Sequence, residues 1–441
     1  MGTGSPKIPV MDMSTRIGFI YFGTYPDIRL VKMTDTLAKA GFEVFVLARN
    51  IKGVTEPGTS HPYAASRSVE QAEWRHRLHL RRVLDSMPER WRAPLTLPYH
   101  VNPIWRRAIR DLVVKDGCGL LIVRDMPLML AATAVGRRYG VPVIFDMAEN
   151  YPAVMAEWRK WEGRARAFVN LFARNITVAR MVERAAIRAA DRILVVVPEH
   201  IERVARLRGT AEGIEVVENT PVLEELDALY AQCSEMFDRQ FSNGILHIVY
   251  GGEVHFYRGM DTLLHAARII KMRGEKCIFW TVVGGGKALH QVQQLCKNLS
   301  VSEEEVRFVG WRPLADLMGY VFRGHVGYAG FHASEFTHMT MPNKVYDYMA
   351  FRKPVLVSDC RPMKRLVETH RCGLVFRSQD AEDLVEKVLQ LRDPALRAEL
   401  GASGRKAVEE RYHWGVDGER LVQVVTTSVR SGHGRTARAK M

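Results

Sequence analysis

In the run MPNKVYDYMA, residues 341–350, a proline, an amide, a lysine and an acid gather at the start of one short apolar helix: Pro342, Asn343, Lys344 and Asp347. A helix N-terminus carries unpaired N–H groups and partial positive charge, so this grouping suits an anion. The same residues serve as ordinary helix punctuation, since proline is favoured in a first turn and a short acid suits it. Two glycine-rich stretches offer related chemistry. In YGGEVHFYRGMD, Gly251 and Gly252 let backbone approach a ligand closely, and Arg258 stands just before a helix start that can help to hold a phosphate. In VVGGGKAL, Gly284, Gly285 and Gly286 repeat the arrangement. A tight strand-to-helix turn would use the same glycines. Neither stretch has the GxGxxG spacing of a dinucleotide loop or the Gly-Lys-Ser/Thr ending of a Walker-type loop, which argues against NAD and ATP as ligands.

Loops of this kind need strands to carry them, and the chain alternates strands and helices twice over. RIGFIYFG, FEVFVLAR, GLLIVRD, VPVIFDM and RILVVV read as strands in the first half, with helical patterns between them. ILHIVYGG, CIFWTVVGGG, VRFVGW, HVGYAG, KPVLVSD and GLVFR follow in the second. Short β-branched runs between helices, with glycine at helix ends, predict parallel sheets covered on both faces. The helix MDTLLHAARIIKMRG shows one apolar stripe, Leu263, Ala266, Ala267 and Ile270. The expected organisation is a disordered lead at 1–15, a first domain at 16–215, a connection at 216–243 and a second domain at 244–410. A possible return helix at 411–430 and a basic tail at 431–441 complete it. Two helical insertions interrupt the first domain, at 70–115 and 151–190. The fold class is α/β, two tandem doubly wound domains of Rossmann-like type with a cleft between them. Ligands of such sheets sit beyond the carboxyl ends of the strands.

The 441 residues exceed one typical core and fit two domains. Six scattered cysteines, with no CxxC and no histidine-paired spacing, argue against a disulfide framework or a zinc site and fit a reducing cytosol. No stretch reaches the ~18 consecutive apolar residues of a membrane span. The lead lacks the apolar core of a signal peptide. A net charge of +14 implies an anionic partner: nucleic acid, a membrane surface or phosphorylated small molecules. Part of that charge is concentrated in the insertions. Residues 73–115 hold ten Lys or Arg against four acids, and residues 151–190 hold eight against three. Trp158, Trp161, Phe168 and Phe172 interleave with the second set, a pattern that suits an anionic membrane surface or a solvated helix face. Nucleic acid is disfavoured because no recognised binding motif accompanies the charge.

The order of segments resembles a known family. A GGxxxxxRG loop, a strand ending in VGGG, an RFVGW turn, a PNKxxxYMA helix, KPVLVSD, a CGLVF strand and a late tryptophan, Trp414, are similar to the nucleotide-sugar-binding domain of the retaining group 1 glycosyltransferases of GT-B fold. RDMPL (124–128) and FDMAENYP (145–152) fit the acceptor domain of the same class. The resemblance implies that Asp347 accepts bonds from the nucleotide ribose, with Met339 where the family has a further acid. It implies that Arg258 neutralises the diphosphate, that Glu253 replaces the family's other cation, and that Lys344 is a candidate for the missing charge. Trp311, Met341, Pro342 and Asn343 fall on the donor side with Gly251, Gly252, Gly284 and Gly285. Arg352 stands where the family has glycine. Gly23, Thr24, Asp125 and Asp146 fall on the acceptor side, with Glu149 a candidate catalytic acid or base. His255, His332 and His338, in the donor-side loops, read as structural or supporting residues.

The function the resemblance implies is transfer of a hexosyl group from a nucleoside-diphosphate sugar, with retention and without metal or other cofactor. The expected acceptor is a saccharide or lipid-linked precursor, at the cytoplasmic face of a membrane. A nucleotide-sugar epimerase of the same fold, or a non-catalytic membrane-bound scaffold, stands as the alternative.

Overall fold

The computed structural model describes residues 16–51, 65–68, 103–160, 175–236 and 244–439. The chain divides into two compact units. One comprises the chain up to Val196, His200–Val217 and the chain from Gly418 on; the other comprises Val197–Glu199 and Glu218–Asp417.

The first unit is built on seven parallel strands: β1 (Arg16–Tyr25), β2 (Glu43–Ile51), β3 (Ala65–Ser68), β4 (Cys118–Arg124), β5 (Val143–Met147), β6 (Arg192–Val195) and β7 (Ile214–Val216). Their order is β3-β2-β1-β4-β5-β6-β7. The second unit has six: β8 (Leu246–Gly251), β9 (Ile278–Val283), β10 (Val306–Gly310), β11 (Val326–Ala329), β12 (Val355–Ser358) and β13 (Gly373–Phe376), in the order β10-β9-β8-β11-β12-β13. Each sheet reverses its direction of winding beside its first strand, between β1 and β4 and between β8 and β11. Crevices for ligands open at the carboxyl ends of such strands.

Double winding follows from strands that are apolar on both faces. In β8, Leu246, Ile248 and Tyr250 enter one core with Leu263, Ala267 and Ile270 of the helix Met260–Met272. Val249 points the other way, into a second core with Val345 and Met349 of the helix Asn343–Ala350. Alternation with period two puts neighbouring residues on opposite faces, and each fully buried aliphatic side chain contributes about 1.5–3 kcal/mol. The first unit repeats the logic, with Ile20, Leu121, Val123 and Phe145 packed against Trp105 and Ile109 of the helix Pro103–Val114.

Several details depart from the sequence reading. Edge strands β3 and β7 were not expected. Strand β1 runs two residues past RIGFIYFG, so Thr24 also lies inside it, where the register against β2 shifts between Tyr21 and Thr24. The final helix runs Trp414–Ala439, through most of the segment expected as a tail. The helices Tyr151–Arg159 and Ile176–Ala189 flank the second insertion. The expected lead, the first insertion up to Asn102, and Trp161, Phe168 and Phe172 lie outside the described residues.

Candidate functional site

The glycine loops of the second unit interlock. Strand β8 ends at Gly251, whose N–H donates to Tyr348 Oη at 2.9 Å. Gly252 N–H donates to Val283 O (2.9 Å) and Val254 N–H to Gly285 O (2.8 Å), so the β8–β9 ladder continues beyond the strands. A Cβ on Gly284 would lie 1.7 Å from the Gly252 carbonyl oxygen. Gly284 is thus required for backbone-to-backbone packing, and not only for approach to a ligand. Gly252, with φ of 124°, faces Lys344: a Cβ there would sit 3.2 Å from Nζ.

Two basic side chains meet at this loop. Arg258 donates from Nη2 to Glu253 Oε2 (2.9 Å) and from Nε to Tyr257 Oη (3.1 Å), and its guanidinium lies over Phe331. The acid that replaces a cation in the resemblance therefore neutralises the neighbouring arginine. Lys344 differs. Its Nζ is shielded from solvent, has no hydrogen-bond partner, and lies 3.6 Å from the centroid of the Tyr250 ring. Burial holds its pKa well below the ordinary lysine range; Arg258 adds to that effect, and Asp347 and Glu253 oppose it. Asp347 is half-buried in the second turn of Asn343–Ala350, one turn past Lys344, so the first turn holds no acid.

The remaining donor-side residues divide. Pro342 is the N-cap of that helix, and no side chain bonds to its first amides. Asn343 accepts from Asn219 Nδ2 (3.2 Å), while Met341 is buried in the core. Trp311 is 73% exposed beside Gly285. The histidines brace loops: His332 Nε2 bonds Asp261 (2.8 Å), His338 Nδ1 accepts from Arg361 N–H (3.3 Å), and the His255 ring packs on Tyr257. Arg352 has a left-handed φ of 57°, which accounts for glycine at the matching family position. Sequence reasoning gave no role to Tyr250 or Tyr348, although both lie within stretches it quoted, YGGEVHFYRGMD and PNKxxxYMA.

In the first unit, charged groups cluster where β1, β4 and β5 end. Asp146 is fully buried; Arg29 holds it at 2.7 Å and Arg124 at 3.4 Å. Burial would raise its pKa, but Arg29 and then Arg124 hold the carboxyl below its usual range. An acid so enclosed supports Arg124 and does not reach the surface. Arg124 also approaches Asp27 (3.4 Å) and Asp125 (3.9 Å). Asp27 caps the helix Ile28–Lys39 by accepting from Leu30 N–H. Asp125, directly after β4, has φ of 64° and ψ of 166°. It keeps 24% of its side-chain surface, yet burial pushes its pKa up to about 7; Arg124 opposes this, and Glu149, Asp146 and Asp27 reinforce it. Glu149 is exposed two residues beyond β5, and Asn150 caps the next helix by accepting from Ala153 N–H. A Cβ on Gly23 would strike the Tyr21 ring. Arg29, Asp27 and Arg124 were not singled out by sequence.

Comparison with known proteins agrees with this architecture. Residues 246–393 match the family described as glycosyl transferases group 1, and residues 28–220 match the glycosyl transferase 4-like domain. Sucrose-phosphate synthase from Thermosynechococcus elongatus superposes with a TM-score of 0.67 at 17% identity, over 95% of this chain and 100% of that one. HepE of Anabaena, in complex with UDP-glucose, gives 0.67 at 11% identity, over 93% and 99%. WaaG, a glycosyltransferase involved in lipopolysaccharide biosynthesis, gives 0.63 at 14%, over 92% and 99%. A curated relative, the GDP-mannose-dependent monoacylated alpha-(1-6)-phosphatidylinositol monomannoside mannosyltransferase of Corynebacterium glutamicum, is 38% identical over 63 residues. That match covers 14% of this chain and 16% of the relative. Two parallel-sheet α/β units with these matches define a glycosyltransferase of GT-B fold. The chain belongs to the group 1 glycosyltransferases.

Proposed function

We propose that this transferase takes a hexosyl group from a nucleoside-diphosphate sugar held by the second unit and passes it, with retention, to a lipid-linked saccharide. The observation that carries the reading is the buried Lys344 Nζ, with no hydrogen-bond partner, beside the Gly252 loop and the start of Asn343–Ala350. A helix start whose amides receive no side-chain cap and a buried basic nitrogen without an acceptor form a setting for a diphosphate. Asp347 serves the ribose, Lys344 and Arg258 the diphosphate, and Gly252, Gly285 and Trp311 the donor's approach. On the acceptor side, Asp125 and Glu149 meet the acceptor, and Arg29, Arg124 and Asp146 hold Asp125 in place. Catalysis then comes from stabilising charge on the leaving diphosphate and from positioning.

Two relatives act in lipid-linked saccharide chemistry by name, WaaG and the phosphatidylinositol monomannoside mannosyltransferase, which supports the acceptor class. The first unit also exposes Trp158 (48%), Val178 (53%) and Met181 (67%) among Arg159, Arg180 and Arg184, a mixture suited to anionic lipid. No helix among the described residues is long and apolar enough to cross a membrane, so attachment would be peripheral. Incubation with UDP- and GDP-sugars and lipid-linked saccharides tests the proposal. Sugar transfer with release of the nucleoside diphosphate is expected. Interconversion of donors without an acceptor would point to an epimerase, and failure of every donor to bind would point to a scaffold.

A further inference from the structure

We infer that Lys344 is uncharged in the free protein and takes up one proton from solvent when a nucleoside diphosphate binds, which couples donor binding to pH. The inference rests on the donor-site reading above, but the groups around Nζ carry it.

No element packed around this nitrogen supplies a hydrogen-bond acceptor for a charged form, although Asp347, Glu253 and the Tyr250 ring favour one in part. From the loop after β8, Arg258 brings positive charge near it. Glu253, on the same loop, has Oε2 committed to Arg258 at 2.9 Å and to Tyr257 Oη at 3.2 Å. From β8, Tyr250 offers a ring face; its hydroxyl donates to the Glu253 carbonyl and is turned to that bond. From the lysine's own helix, Tyr348 Oη accepts from Gly251 N–H, and Asp347 stands one turn on without hydrogen-bonding to Nζ. Lys344 also occupies the first turn of Asn343–Ala350, the positive end of the helix dipole. A ring face offsets only part of the cost of burying an ammonium without an acceptor. Burial therefore lowers the lysine's pKa, with Arg258 reinforcing the effect.

A bound diphosphate reverses this balance. Its oxygens would supply the missing acceptors and negative charge, and the amine lone pair would take a proton from water or from the acid form of the buffer. No other bond changes. By linkage, a ligand that prefers the protonated form binds more weakly as pH rises between the free and bound pKa values, up to tenfold per unit.

Calorimetric titration of the full-length protein with UDP and with GDP tests this, in two buffers of low and high ionisation enthalpy. A pH of about 8 is suitable, since a terminal phosphate with a second pKa of about 6 is then ionised. Wild type should take up close to one proton per nucleotide bound. Lys344→Arg, which carries a permanent charge, should bind without uptake and with a flatter pH profile. Lys344→Met should also lose the uptake, and its thermal midpoint should equal or exceed that of wild type, because a buried amine has been replaced by an apolar chain. Binding with no uptake, or with proton release, would overturn the inference and leave the donor site standing. Uptake that persists in Lys344→Arg would overturn it too, by placing the proton elsewhere. If neither nucleotide binds, the donor-site reading itself fails and the inference fails with it.

Discussion

At Asp125 the backbone adopts φ of 64° and ψ of 166°, a region nearly reserved for glycine and costing other residues on the order of 1–3 kcal/mol. An aspartate kept there, at the sheet's switch point, points to work for its carboxyl group. Comparing Asp125→Gly with Asp125→Ala isolates the strain, because both variants lose the carboxyl. The glycine variant should be the more stable by roughly 1 kcal/mol in urea denaturation, against the usual preference for alanine. Neither should retain normal sugar transfer. Equal stability of the two would remove strain from the account. Sequence position alone singled out Asp125, since it follows a strand, but nothing in RDMPL announces its backbone angles. It also singled out Asp146, which turned out to be a buried support. The reason is distance along the chain: its partner Arg29 lies 117 residues away. Local spacing cannot reveal such a pair.

Regular elements were more legible than the contacts between them. All six strands of the second unit stand out as β-branched runs, because a strand buried on both faces must be apolar throughout. ASRS and IEV, which became β3 and β7, carry no such pattern; each pairs with a single neighbour at a sheet edge. The helix from Asn343 was legible too, yet Asp347 belongs to its second turn. The glycine loops were legible as flexible points, but not in what each glycine does. Gly284 lies against the Gly252 carbonyl, whereas a Cβ on Gly285 would meet nothing nearer than Trp311 Cβ at 3.8 Å. Gly284→Ala should therefore separate the two loops, lose about 1–3 kcal/mol of stability and weaken nucleotide binding. Gly285→Ala should be tolerated in the fold. Thermal melts with and without UDP or GDP check both, and equal tolerance of the two substitutions would contradict the loop packing.

Over the whole molecule the chain passes between units at Val196–Val197, Glu199–His200, Val217–Glu218 and Asp417–Gly418, and the second-unit residues at the last two passages bond to each other. Glu218 N–H and Thr220 Oγ1 donate to the Asp417 carboxylate at 3.1 and 2.8 Å. Arg411 lies 3.8 Å from Glu218 and 3.6 Å from Asp417, so one guanidinium serves two carboxylates. Tyr346, from the helix that carries Lys344, donates to Glu218 at 3.3 Å. Burial pushes the Glu218 carboxyl from its ordinary 4.5 up to about 7, with Arg411 opposing and Asp417 reinforcing. Between those values the folded chain keeps a proton that the unfolded chain has released. Raising the pH through that window therefore removes stability, on the order of 3 kcal/mol from this group, and the loss is complete above its folded-state value. Asp125 titrates over a similar window but is more open to solvent, so its share is smaller. Glu218→Gln keeps the shape and an acceptor for Tyr346 while removing the ionisation. Its stability should match or fall slightly below that of wild type near pH 4.5 and exceed it near pH 8. Urea unfolding at those two pH values measures the difference. Parallel profiles for the two proteins would show that Glu218 does not hold its proton where the chain crosses.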